Sequence, residues 1–381
     1  MNNSRKRCFE SAKRVVIKLG SGVLSEKNGL NLKLIRSVSH EICQLIGGGL
    51  EVIVVSSGAM ALGVKKVGLP GRPDEIPRRQ AVSAVGQAGL ILEYEKAFAR
   101  YRKKTAQILL TGEDLSNRKR YLNARNTINT LLSWGVIPVI NENDTVSIEE
   151  IKFGDNDNLA AMIAILMDAD ILINLTDIDG VYTKDPRSFP EAELISYIPS
   201  ITKNIEKIAG EIPGALGTGG MLSKIKAARK VTAAGIPMVI AKGTEPDILT
   251  LLFLGREYGT FFLPGKEKLT SRKCWIAFSL KPKGMIYIDS GAAEAVVTNG
   301  KSLLSSGILD VDGDFGVGDP VAFKAADGLP LGTGLVNYGS EDIRKIKGLK
   351  SSDIQQRLGS KPYDEVIHRD NLAIISECIL P

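Results

Sequence analysis

Six short apolar runs rich in β-branched residues recur across the first 260 residues: VVIKL at 15–19, EVIVV at 51–55, AQILL at 106–110, VIPVI at 136–140, DILINL at 170–175 and PMVIA at 237–241. Each is too short for a helix, and each is apolar without alternation, the pattern of a strand buried on both faces in a parallel sheet. The segments between them are long enough to hold crossover helices. The expected fold is α/β, a three-layer sandwich around a mostly parallel sheet. The runs end in Gly20-Ser21-Gly22, Ser56-Ser57-Gly58, Asn141-Glu142-Asn143-Asp144 and Thr176-Asp177. Ligands of open α/β sheets gather outside the carboxyl ends of the strands, so these turns are expected to share one rim.

Around residue 263 the pattern changes. FFLPGKEKLTSRK reads as a connector, and residues 263–274 are taken as a linker. Beyond it WIAF, MIYID, AVVT, PVAF and GLVNY, separated by Gly, Asp and Asn clusters, predict a small β-rich domain over residues 275–360, with 361–381 as a tail. Residues 13–262 form the main domain. The polar, basic residues 1–12 are expected to be a disordered extension. A length of 381 residues fits two domains, since a single core stops growing before that size.

Composition removes several classes of function. The richest apolar stretch, LAAMIAILMDADILINL, is broken by Asp168 and Asp170, so no membrane span is expected. No secretory leader is visible, which makes the cytoplasm the default location. The four cysteines Cys8, Cys43, Cys274 and Cys378 are scattered, and the only histidines are His40 and His368. That argues against a zinc site, a disulfide framework and a histidine-dependent hydrolase. The net charge is +6, yet Lys283 to Ser360 holds eight basic against ten acidic side chains. That balance argues against RNA as the partner of the C-terminal domain, because backbone contacts to RNA rely on Lys and Arg.

The chemistry is most legible in GTGGMLSK, Gly217 to Lys224, at the start of an alanine- and lysine-rich helical pattern. Glycines that let amides approach an anion, two hydroxyls and a lysine at a helix N-terminus suit a phosphate site, and read alone they suit equally a glycine-rich linker ending in an N-cap. The order of Lys224 and Ser223 departs from the Walker pattern, so a P-loop NTPase is not indicated. Asx-rich runs such as NEND and GDNDN are individually turns or caps. Two of them twelve residues apart, both near the expected rim, favour a binding role.

Together KLGSGVL from Lys18, VVSSGAMALG from Val54, INENDTV from Ile140, FGDNDNLAA from Phe153, LTDIDGVYTKDPR from Leu175 and GTGGMLSK resemble, in order and spacing, the amino acid kinase family. The resemblance is closest to its glutamate-phosphorylating members and runs from about residue 13 to the end. The segment from Gly284 resembles the PUA domain that many of those members carry. Gly22 and Ser223 depart from the pattern, which more often has a hydroxyl residue and a threonine there.

The resemblance implies transfer of the ATP γ-phosphoryl group to the side-chain carboxylate of L-glutamate. It implies catalytic roles for Lys18, Asp157 and Lys224, with Asp157 holding the two ammonium groups. Ser57, Asp144 and Asn156 match glutamate-binding positions. Lys18, Thr176, Asp177, Thr218, Gly219, Gly220, Met221, Leu222, Ser223 and Lys224 match ATP-binding positions. Mg²⁺ is expected with ATP, with no protein ligand to name for it. Also implied are inhibition by proline involving residues 149–158, a homo-oligomer, and handover of the product to glutamyl phosphate reductase. Aspartate, acetylglutamate or uridylate kinase activity is the competing enzymatic reading, and an RNA-binding protein the competing class.

Overall fold

The computed structural model describes residues 3–26, 29–146, 156–210, 220–265 and 269–374. It divides into two units, Met1–Lys268 and Leu269–Pro381. The strands of the first unit are β1 (Arg14–Leu19), the antiparallel pair β2 (Ser25–Glu26) and β3 (Gly29–Leu30), β4 (Glu51–Ser56), β5 (Lys104–Leu110), β6 (Val136–Glu142), β7 (Ile171–Thr176), β8 (Tyr197–Ile198), β9 (Met238–Lys242) and β10 (Thr260–Phe262). Eight of them form one sheet in the order β5-β6-β4-β1-β7-β9-β10-β8, parallel throughout except where β10 runs against β9. All six runs seen in the sequence are strands of this sheet, and the α/β expectation holds.

Strand periodicity sorts the two faces. Val15, Ile17, Leu19, Val52, Val54, Ile171, Ile173 and Leu175 face a core that includes residues of helices Leu32–Gly47 and Ile76–Ala99. The alternate positions, among them Lys18 and Asn174, therefore lie on the opposite face. Helix Asn156–Leu166, buried almost all round, packs with β1, β7 and helix Met221–Ala233. β1 has β4 on one side and β7 on the other, so the chain reverses its direction of growth there, where ligands of such sheets bind.

Elsewhere in the first unit the backbone itself is in contact. A Cβ added at Gly63 would lie 1.9 Å from the Val82 carbonyl oxygen, and one at Gly86 1.8 Å from that of Ala59. Helices Ala59–Val67 and Ile76–Ala99 thus touch through glycine. Gly58, at φ +107, turns the chain from β4 into the first of them in a conformation that L side chains rarely adopt.

Three expectations about the ends and the connector are corrected. Residues 3–11 are not a disordered extension: Asn3–Ser11 is a helix. It presents Arg5 and Phe9, one turn apart, to the main unit. Phe9 is buried edge-to-face on Phe253, and the Arg5 guanidinium donates to the carbonyls of Arg256 and Tyr258 over the Phe261 ring. The linker is shorter than 263–274, because the Leu263 and Gly265 amides bond to Ile198 and Thr232 within the first unit, and Thr270 caps helix Ser271–Ser279. The described part of the tail, 361–374, ends in a strand, Leu372–Ile374, that pairs within the second sheet.

The second unit is built on β11 (Gly284–Ile288), β12 (Ile308–Gly313), β13 (Pro320–Ala325), β14 (Pro330–Leu335) and β15 (Leu372–Ile374), ordered β12-β11-β13-β14-β15. Its own core includes Ile286, Val321, Phe323, Tyr338 and Ile367. Two strand expectations fail here. WIAF lies in helix Ser271–Ser279, and AVVT continues helix Ser290–Ala293, which Asp289 caps. A four-residue apolar run carries no period that separates strand from helix, and the capping side chains decide.

Candidate active site

At the carboxyl end of the sheet, β1, helix Asn156–Leu166 and helix Met221–Ala233 bring three charged side chains together. Asp157 is 1% exposed, Lys18 4% and Lys224 6%. Lys18 Nζ donates to Asp157 Oδ1, and Lys224 Nζ to Oδ2 at 3.0 Å. Ser223 Oγ donates to the same Oδ2 at 2.7 Å, and Asn174 Nδ2 to Oδ1 at 2.7 Å. Each carboxylate oxygen therefore accepts from one ammonium group and one neutral donor. Burial alone would raise the Asp157 carboxyl, but the charges of Lys18 and Lys224, with hydrogen bonds from Lys18 and Ser223, hold it well below the usual carboxylate range. Asp157 is thus an anion that holds two cations. A Cβ at Gly20 would lie 3.3 Å from the Lys18 ammonium and from the Leu175 carbonyl oxygen, so the glycine lets the turn after β1 pass close to both.

Asn156, next to Asp157 in the chain, opens a run of amide contacts. Asn156 Nδ2 lies 2.8 Å from Ser57 Oγ and 3.0 Å from Asn141 Oδ1, and Asn141 Nδ2 donates to Gln87 Oε1 at 2.7 Å. The chain of contacts joins the ends of β4 and β6 to helix Ile76–Ala99. Asp144 follows β6 and is half-buried. Burial pushes its carboxyl up, against a hydrogen bond from Ser83 and the charges of Arg72 and Arg79. A desolvated carboxylate of this kind gains from an incoming ammonium group.

Ser223 and Lys224 belong to a helix start. Gly220 is the N-cap of helix Met221–Ala233 in an extended conformation with no side-chain hydrogen bond, and Met221 and Leu222 begin the helix. The first-turn amides and the helix dipole favour an anion at such a start. Thr176 closes β7, and its hydroxyl donates to Asp177 Oδ1 at 3.0 Å. A Cβ at Gly22 would meet the Asp177 carboxyl carbon at 2.8 Å, so the missing side chain at Gly22 is the space into which Asp177 folds. Thr218 and Gly219, and residues 149–155 of the stretch expected to respond to proline, lie outside the described residues.

The structure thus gathers Lys18, Asp157, Ser223 and Lys224 in direct contact, and joins Ser57 to Asn156. Sequence reasoning missed Asn174, Gln87 and Ser83, and had Asn141 only as part of the NEND run. Asn141 and Ser83 lie among residues that read as a turn and a helix face. Asn174 did leave a signal, as the one polar side chain inside the apolar run ILINL. Among the described residues there is no group of three or more His, Cys, Asp or Glu that could hold a metal ion, and no helix long and apolar enough to cross a membrane.

The mostly parallel sheet is that of an α/β fold, and the chain belongs to the amino acid kinase family. The profile of that family matches residues 13–242, and that of the PUA domain residues 284–358. Relatives named glutamate 5-kinase align over nearly the whole chain. The one from Syntrophus aciditrophicus (strain SB) is 52% identical over 375 residues, covering 98% of this chain and 97% of its own. The one from Caldanaerobacter subterraneus subsp. tengcongensis is 50% identical over 363 residues, 95% and 98% of the two chains. Among solved structures, carbamate kinase from Giardia lamblia bound to AMP-PNP is similar at a TM-score of 0.48 and 17% identity, covering 67% of this chain and 100% of that one.

Proposed function

We propose that this protein phosphorylates the side-chain carboxylate of L-glutamate with ATP, giving L-glutamyl 5-phosphate and ADP, the first step of proline biosynthesis. The observation that carries this reading is the pair of buried ammonium groups, held on one carboxylate between a helix start suited to phosphate and a polar pocket suited to an amino acid. A glutamate side chain has an ordinary pKa of about 4.3, so the acceptor is already anionic and needs no general base. One of its oxygens attacks the γ-phosphorus as the bond from that phosphorus to the β–γ bridging oxygen breaks, and ADP leaves with the electron pair. What the protein supplies is position and positive charge along that line.

Lys18 and Lys224 are assigned to the transferring phosphoryl group, with Asp157 setting their spacing. Thr176, Asp177 and residues 218–224 are assigned to the nucleotide. Asp144 takes the α-ammonium of glutamate. Ser57, whose oxygen accepts from Asn156, keeps its own hydroxyl hydrogen to donate to a carboxylate. A divalent cation accompanies ATP in such chemistry, and we assign Mg²⁺. With no three-ligand cage among the described residues, phosphate oxygens and water would be its main ligands. Proline carries the same α-carboxylate and a cationic nitrogen, and is proposed to compete for the Asp144 half of the site. A homo-oligomer, and consumption of the labile acyl phosphate by glutamyl phosphate reductase, complete the proposal.

Trapping the acyl phosphate with hydroxylamine in the presence of glutamate, ATP and Mg²⁺ tests the reaction directly. Clear preference for aspartate or uridylate as acceptor would overturn it. Asp144 adds a pH signature. Its carboxyl is raised by burial, and a bound ammonium favours the charged form. Glutamate KM is therefore expected to rise as pH falls through the raised value, above the range of an exposed aspartate, while ATP KM stays level. Asp144→Asn should raise glutamate KM roughly 10- to 100-fold, the loss of one charge-assisted hydrogen bond, and flatten that dependence. If ATP KM moves instead, the two subsites are reversed.

The role of the second unit is open to an equally direct measurement. Every assigned residue precedes Ile225, and each unit has a core of its own. A chain ending at Lys268 is expected to fold and to form the hydroxamate at a rate within about tenfold of the full chain. A folded but inactive fragment would place the PUA-like unit in catalysis.

A further inference from the structure

We infer that Asn174 is a positioning residue for the phosphoryl-transfer site, acting through Asp157 on Lys18. The inference rests on the kinase reading above and extends it to a side chain that touches neither substrate. β7 is otherwise a fully buried strand, ILINLT, in which Asn174 is 1% exposed. An apolar residue would pack at this place without a polar group to satisfy. An amide here costs free energy for any of its atoms left unpaired. One is left unpaired, since Asn174 Oδ1 has no hydrogen-bond partner among the described residues. The cost of the amide is therefore only partly offset, and its one formed hydrogen bond goes to Asp157.

The register explains what that bond does. Asn174 lies directly opposite Lys18 on the neighbouring parallel strand, and both side chains leave the sheet on the same face. Both reach Asp157 Oδ1. On the other oxygen the same division holds, with Lys224 and Ser223 as the charged and neutral donors. A carboxylate held by one lysine on each oxygen can still rock about its Cβ–Cγ bond. A neutral donor on each oxygen fixes its plane, and with it the line along which each ammonium projects. Ser223 does this from the nucleotide-side helix and Asn174 from the sheet. The direction of the amide is set by Asp157, because a flipped side chain would bring its oxygen against an anion.

The test is Asn174→Leu in the full chain, with Asn174→Ala beside it. A shape-matched apolar side chain removes the half-satisfied amide, so thermal stability should hold or rise. Turnover, however, should fall at least fivefold, with glutamate and ATP KM each within about twofold of wild type. A purely structural amide would give the opposite, a lowered Tm with normal kcat in the folded protein. Unchanged turnover in a folded variant overturns the inference, as does an effect confined to either KM, or failure of both variants to fold. Failure of the wild-type protein to form γ-glutamyl hydroxamate overturns the kinase reading itself, a separate outcome.

Discussion

Lys224→Ala and Lys18→Met are each expected to lower kcat by about 10²–10³-fold or more while leaving the fold in place. The size follows from where the charge is needed. In a loose phosphoryl transition state, negative charge spreads over the equatorial and bridging oxygens as the bond breaks, so a preorganised ammonium contributes more there than to the bound ground state. Loss of one should reach kcat more than either KM. The fold survives because Asp157 is not orphaned. Without Lys224 its carboxylate keeps Lys18, Ser223 and Asn174, and without Lys18 it keeps Lys224 and the two neutral donors. Methionine at position 18 retains most of the stem volume in the middle of the sheet, where alanine would open a cavity. Hydroxamate formation at saturating substrates, measured beside a thermal melt, checks both halves. A folded variant with near-normal turnover removes its lysine from the catalytic set.

The main sheet was legible because its strands are buried on both faces, and burial on both faces writes itself as a continuous apolar run. The N-terminal helix was not legible. NSRKRCFES offers a single large apolar residue, and its packing depends on Arg5 donating to carbonyls about 250 positions away, which no local pattern records. The triad shows the same limit within the site. Lys18 and Asp157 are 139 positions apart and Lys224 is 67 further on, so only the order of the motifs made their meeting predictable. Each lysine read locally is a strand end or a helix turn. Asn174 lacked even a motif, because the feature that marks it, an amide facing Lys18 across a parallel register, exists only once the strands are paired. WIAF failed for the converse reason. Trp275 and Ile276 are buried, but Thr270 starts a helix ahead of them, and a cap of one side chain outweighs four residues of β propensity.

Asp157→Asn should have the largest combined effect on stability and turnover. Asparagine keeps the shape but turns an amide nitrogen toward one of two pairs of donors, and leaves two buried ammonium groups with no anion between them. Removing the partner of a buried charge costs about 3–5 kcal/mol, and here the repulsion of two cations adds to it. The pH dependence identifies the cause. The Asp157 carboxyl is depressed in the folded protein, so its contribution is fully present above its unfolded value of about 4 and is lost as pH falls through the folded one. Wild type and Asp157→Asn should therefore differ widely in Tm near neutrality and converge in acid. Adding Lys18→Met to Asp157→Asn removes one of the unpaired cations and should recover part of the lost Tm. Turnover should not recover, because the recovered stability comes from deleting a group that the reaction needs. Melts of the two single variants and the double variant across pH, with hydroxamate rates at neutrality, read both quantities on the same samples. A parallel gap in Tm at every pH, or turnover that returns with stability, would mean that Asp157 serves the fold alone and that the lysines find their positions without it.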